Sequence, residues 1–176
     1  MQRYLKLTIM LSIVTILLLC GLAHAYSSSS KKVYAQNIVS VEFQFKPNTI
    51  KLHQSTYAIG KMVVCSIVWY VDWRFEHIVD ARGLSKPVWV SGNVPYRDWI
   101  YVSSDPDLFG YPSWHYDSGY MWDILQPGQC KTLYLIARVT ALKRGVWYGR
   151  CGADLWPKPF DVIFQNPWST ATVVVN

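Results

Sequence analysis

Pro127-Gly128-Gln129-Cys130-Lys131-Thr132-Leu133-Tyr134-Leu135-Ile136-Ala137-Arg138-Val139-Thr140-Ala141-Leu142-Lys143-Arg144-Gly145-Val146-Trp147-Tyr148-Gly149-Arg150-Cys151 reads as turn, strand, basic turn, strand. Proline presets φ and glycine supplies φ > 0 at the next corner, so Pro127-Gly128 marks a turn. Residues 132–139 mix apolar and polar side chains at strand length and are rich in β-branched and aromatic types. Lys143-Arg144-Gly145 turns the chain again, and residues 146–151 read as a second, mostly buried strand that ends in a thiol.

Working outward, Val41-Glu42-Phe43-Gln44-Phe45-Lys46 alternates, with Val41, Phe43 and Phe45 on one face. Pro47-Asn48 breaks the pattern and residues 49–52 resume it as a short strand. The longest apolar run of the domain covers residues 61–71, with Val63, Cys65, Ile67 and Trp69 sharing a face. A central sandwich strand is expected there. Residues 72–84 are mixed, while 88–90 and 99–102 read as further strands. Residues 103–126 show no periodicity and much glycine, proline, aspartate and aromatic, which predicts a long compact loop. Beyond the central stretch, 154–165 is irregular around Pro157 and Pro159, and 170–175 closes the chain as a last strand. Many short strands with turn punctuation predict an all-β sandwich over residues 38–176.

A chain of 176 residues is expected to carry one domain. It opens with Arg3 and Lys6, a charge-free apolar run from Leu7, and small residues before Ala25. Residues 1–25 therefore read as a secretory signal peptide, or as an uncleaved anchor helix of spanning length. Either version exports the domain. Residues 26–37, with four consecutive serines and two lysines, form a polar linker. Beyond Ala25 fifteen basic residues face eleven acidic ones, a formal charge of +4 with no long basic run. That balance suits a membrane surface or an acidic partner and argues against nucleic acid. All nine tryptophans follow residue 68, enough aromatic mass to fill a core and leave rings at a surface.

Four features, in order, resemble a cupredoxin. Phe43-Gln44-Phe45-Lys46-Pro47-Asn48-Thr49-Ile50 resembles the opening strand pair of small blue copper proteins and of the soluble domain of oxidase subunit II. His77, after a long apolar strand, falls where the family's first copper-ligating histidine sits. Pro127-Gly128 and the strand after it resemble the segment before the ligand loop, and Gly145-Val146-Trp147-Tyr148-Gly149-Arg150-Cys151 resembles the strand that delivers the ligand cysteine. The resemblance implies a Greek-key, cupredoxin-like sandwich and a copper site on His77 and Cys151. Such a site needs two histidines, a thiolate and usually an axial methionine. After Cys151 the chain has neither histidine nor methionine; His115 and Met121 could reach in only from the 103–126 segment.

A second resemblance is to the exported, cupredoxin-built component of copper membrane monooxygenases, in residues 50–61, the tryptophan-bearing strand after them and Gly145-Val146-Trp147. Tyr148, Gly149 and Arg150 follow where that family carries paired histidines, so its scaffold role is implied and its metal chemistry is not.

Export favours oxidised cysteines. Without the leader three remain, Cys65, Cys130 and Cys151. If residues 143–145 form a hairpin turn, Cys130 and Cys151 face each other. Cys65 with Cys151 is the alternative, a bridge between central strands as in immunoglobulin domains. Two serine–histidine–aspartate neighbourhoods, His77 with Asp80 and Ser113 near His115 and Asp117, are proximities in sequence only. Asp105, Asp107, Asp117 and Asp123 offer oxygen ligands without the spacing of a known calcium loop. Tyr111, Trp114, Tyr116, Tyr120 and Trp122 are the candidate recognition surface, for sugar, protein or membrane. The expectation is a non-catalytic accessory subunit of a membrane oxidoreductase or monooxygenase assembly, with no cofactor. A copper-handling protein and a carbohydrate-binding sandwich are its alternatives.

Overall fold

The computed structural model describes residues 39–66, 71–157 and 167–176. The leader and linker assigned to residues 1–37 lie outside them, as do Ile67, Trp69 and Pro159. The described chain is an all-β sandwich whose one helical element is a single 3-10 turn, Pro106–Leu108.

Eleven strands build it: β1 Val39–Lys46, β2 Thr49–Ile50, β3 Ser55–Cys65, β4 Val71–Asp80, β5 Val88–Gly92, β6 Ile100–Asp105, β7 Tyr111–Asp117, β8 Met121–Asp123, β9 Cys130–Thr140, β10 Gly145–Pro157 and β11 Trp168–Val175. The smaller sheet runs β1-β3-β9-β5 and the larger β2-β11-β10-β4-β7-β6, with β8 also paired to β4. All pairings are antiparallel except β11 with β2. Phe43, Phe45, Met62, Leu133 and Leu135 from one sheet and Trp73, Phe75, Val79, Leu155 and Val173 from the other are buried and make the core. Alternation along each strand puts these side chains on the facing surfaces.

The turns form where the residue chemistry demands them. Gly128 sits at φ 85°, and the Gln129 N–H donates to the Gln126 carbonyl over 2.9 Å, closing a turn with Pro127 at its first corner. The turn at 143–145 joins different partners from those expected. β9 belongs to the smaller sheet and β10 to the larger, so the two do not form a hairpin; the chain crosses the sandwich there.

That crossing corrects the cysteine pairing. Cys65 and Cys130 are register partners on β3 and β9, with Cα atoms 4.0 Å apart, and they form the disulfide. Cys151, on the opposite sheet, is buried and free, so neither Cys130–Cys151 nor Cys65–Cys151 exists. Such a bond persists in an oxidising compartment, and the domain is extracytoplasmic.

Two further expectations change. Of the apolar run at 61–71, residues up to Cys65 belong to β3 and Val71 opens β4, while residues 67–70 lie outside the described residues. The 103–126 segment is not a loop: it holds the end of β6, the 3-10 turn, β7 and β8. Its periodicity is hidden because the 3-10 turn, a β-bulge and three positive-φ residues, Phe109, Gly110 and Gly119, interrupt it.

Candidate functional site

β4 lies between β10 and β7 in the larger sheet, and its two faces carry different chemistry. Trp73, Phe75, His77 and Val79 point to the sandwich interior, while Arg74, Glu76, Ile78 and Asp80 point away. Even the outward residues of its second half are buried, because the 3-10 turn after β6 packs over β4, β7 and β10.

On the inner face His77 and Cys151 are cross-strand partners, so the structure does bring these two residues together. They meet in mid-strand, deep in the core, and both are fully buried. The His77 ring is packed against Phe43, Phe75 and Trp99 at centroid distances of 5.1, 6.4 and 5.2 Å. Both its nitrogens lack a hydrogen-bond partner, and burial pushes its pKa down to about 3. Burial also pushes the Cys151 thiol well above its ordinary value, against the Lys61 N–H that hydrogen-bonds the sulfur. The thiol presses on the facing sheet at Gly60, where an added Cβ would stand 3.1 Å from Sγ and 3.1 Å from the Phe75 ring. A neutral imidazole and a protonated thiol in a dry aromatic core are inert as acid, base or nucleophile.

The other two expected copper ligands do not join them. His115 pairs in register with Ile78 and therefore lies on the opposite face. Met121 pairs with Trp73, four residues along β4 from His77, about 13 Å at ordinary strand rise. Among the described residues no group of three or more histidine, cysteine or acidic side chains converges to hold a metal ion. Two donors fall short of the trigonal set a tuned copper centre requires, so these residues do not fit one.

The outer face holds the network that the sequence did not reveal. Arg74 is its hub: its guanidinium reaches Glu76 at 2.8 Å, Asp117 at 2.8 and 2.9 Å, and Asp154 at 3.2 Å. Its hydrogen bond to Asp117 raises its pKa, against the cost of burial. His115 sits between Glu76, 3.3 Å from Nε2, and Asp105, 3.2 Å from Nδ1. Burial pulls the ring's pKa down, but its contacts with Asp105 and with Glu76, the latter an ion pair without hydrogen-bond alignment, outweigh that and hold it up at about 9. The imidazolium is thus clamped at opposite edges, which is why its two carboxylates do not converge. Asp105 also accepts from Ser113 Oγ at 2.5 Å and from the Asp107 N–H at 2.9 Å, pinning the turn onto the sheet. Arg150 donates to the Asp107 carbonyl from β10.

These contacts settle the catalytic proximities. Ser113 and His115 both bind Asp105, so the carboxylate stands where a triad needs the imidazole. His77 and Asp80 lie on opposite faces of β4, and Asp80 is held by Arg82 at 2.7 Å. The four loop aspartates separate too: Asp105 binds His115, Asp107 lies in the turn, Asp117 binds Arg74, and Asp123 takes Trp73 Nε1 at 2.7 Å and Lys131 at 2.8 Å.

The five candidate recognition aromatics divide. Tyr116 is in the core, its hydroxyl donating to the Pro95 carbonyl at 2.5 Å. Trp114 is half-buried against Tyr101. Tyr111, Tyr120 and Trp122 are exposed. Tyr111 carries Arg82 3.3 Å above its ring and stacks on Tyr148. Exposed apolar residues that the sequence reading did not single out include Ile100 and Tyr101, 66% and 53% exposed on β6, an edge strand of the larger sheet, and Val88 and Val90 on β5. From Trp99 to Ser104 this stretch carries no charge.

No protein-family model matches the chain, and no curated protein does. Among solved structures it is similar to the full-length major pilin SpaD from Corynebacterium diphtheriae, at 13% identity over 77% of this chain and 34% of that one, with a TM-score of 0.47. The chain therefore spans about a third of that pilin's length. It is also similar to a type II cohesin domain from the cellulosome of Acetivibrio cellulolyticus, at 13% identity over 77% of this chain and 94% of that one, TM-score 0.44. A third likeness is the ASH/PapD-like domain of human CEP192, at 9% identity over 79% and 85%, TM-score 0.38.

Proposed function

We propose that the chain is a non-catalytic accessory module of an extracytoplasmic, membrane-associated assembly, and that it binds its partner protein by accepting an extended strand along β6. One observation carries this reading: among the described residues β6 is the last strand of the larger sheet, with exposed Ile100 and Tyr101 and no charge between Asp98 and Asp105. Proteins ordinarily blunt such edges with lysine, proline or a covering segment, and an edge left bare is a template for strand addition. The opposite edge of the sandwich, β1, is guarded by Glu42, Gln44 and Lys46, all exposed. The sealed His77–Cys151 pair supports the non-catalytic part.

The narrower assignment, a cupredoxin-like subunit of a membrane oxidoreductase or monooxygenase, draws on the resemblance of the opening strand pair and of residues 145–151. The copper-handling alternative needs a third donor, and an intense thiolate–copper absorption band on loading the purified domain would restore it. The strand-addition reading is tested by placing a photocrosslinker at Ile100 or at Glu42 in the native envelope. One discrete membrane-protein adduct is expected from Ile100 and none from Glu42. Equal labelling from both positions, or none from Ile100, overturns it.

A further inference from the structure

A pocket of 260 Å³ opens beside β5 and the segment leading into β6. Trp89, Tyr96 and Trp99 supply its aromatic walls, and Lys86, Arg97 and Asp98 its charges. We infer that this pocket binds one hexuronic acid unit of an acidic glycan. The inference is independent of the partner strand on β6.

Its size sets the first limit, since drug-sized sites start at about 300 Å³; this one takes a single ring. The walls set the second. Trp89 and Tyr96 meet edge to face with centroids 5.4 Å apart, and Tyr96 is 71% exposed, so its ring is offered to a ligand. Trp99 is buried against Tyr116 and His77, at 5.8 and 5.2 Å, which holds it rigid behind them. A pyranose has an apolar C–H face that packs on such planes, while its hydroxyls stay hydrogen-bonded at the rim.

Charge sets the third limit. Lys86, Arg97 and Asp98 are all exposed, and the ion pairs among the described residues use none of them. Two cations against one carboxylate leave the rim positive and favour an anion. Asp98 in turn accepts from hydroxyl donors. A simple inorganic anion would leave the aromatic planes unused, and an apolar ring would leave the three charges unused. A neutral sugar would leave the positive balance unmatched. A hydroxylated ring bearing a carboxylate meets all of them at once.

The test is an NMR titration of the ¹⁵N-labelled domain with trigalacturonate, with maltotriose as the neutral control and a proline-rich peptide as the competing class. Trigalacturonate is expected to shift the amides of residues 86–99 and the Trp89 indole saturably, with a dissociation constant of about 1 mM or tighter. The exposed-site variants Tyr96→Ala and Lys86→Gln/Arg97→Gln should each weaken it at least about tenfold, the charge variant alone losing the salt dependence. Absence of saturable shifts, equal binding of maltotriose, or binding of the peptide in place of trigalacturonate overturns the inference.

Discussion

His77 and His115 stand one rung apart on neighbouring strands, yet the two faces of the larger sheet treat them in opposite ways. His77 points into the sandwich, where only burial acts, and its pKa falls to about 3. His115 points outward under the 3-10 turn; burial acts there too, but Asp105 and Glu76 prevail and the ring is held near about 9. The residue type decides neither outcome. What matters is whether a carboxylate comes within reach before water is excluded. The inner face is a place where titratable chemistry has been silenced, and the outer face is one where charge does the structural work of fastening the β6–β7 excursion.

The strongest way to break this contrast is to remove the outer hub. Arg74→Met leaves Asp154 buried without its cation and Glu76 with His115 in place of two cations, and breaking a buried pair in this way costs about 3–5 kcal/mol. Urea denaturation at pH 7 measures it. The loss should shrink in acid, because burial already raises the Asp154 pKa and protonation removes the stranded charge. A loss below about 1 kcal/mol at pH 7 would mean that the cluster behaves as a solvated surface.

The inner face is sharpened by acid. His77 has its folded pKa depressed from 6.5 to about 3, so its neutral form stabilises fully above pH 6.5, and that contribution is lost as pH falls from there toward 3. Between pH 6.5 and 4.5 the loss is about 2 kcal/mol. His77→Leu removes the titration and keeps an apolar side chain in the cage of Phe43, Phe75 and Trp99. The variant should be the more stable protein at pH 4.5, while the wild type shows the acid slope. Parallel slopes in the two proteins would show that water or a partner reaches the ring.

The contrast was half legible in the residues. Asp72-Trp73-Arg74-Phe75-Glu76-His77 alternates as cleanly as Val41-Glu42-Phe43, and period 2 alone marks it as a strand with one polar face. Its charges left the segment reading only as mixed. Glu76 is buried and Arg74 partly covered by the later turn at Pro106–Leu108, which no local pattern announces. The sandwich and the turn at Pro127-Gly128 followed from alternation and turn chemistry, whereas the pairing of His77 with Cys151 was implied only by the cupredoxin resemblance. The disulfide did not, because pairing depends on which sheet each strand joins. Residues 127–151 look alike whether β10 folds back on β9 or crosses to the other sheet. Of the aromatics at 111–122, Tyr116 went to the core because it alternates with Tyr111, Ser113 and His115 along β7, a rhythm lost in a segment read as a loop.

The smallest effect belongs to the alkaline side of the outer face. His115 has its folded pKa raised from 6.5 to about 9, so its contribution is fully present below pH 6.5 and disappears as pH rises through about 9. The groups that face it are Glu76 and Asp105, with Asp107, Asp117, Arg74 and Arg150 around them. Because part of the ring stays wet, screening trims the gain to about 1–2 kcal/mol between pH 6.5 and 9.5. His115→Gln keeps a donor toward Asp105 but cannot titrate, so its stability should be flat over that interval while the wild type declines. A ring resonance of His115 titrating near 6.5 would show that the carboxylates do not hold the proton, and the fastening of the excursion would then rest on Asp105 with Ser113 and on Arg150 alone.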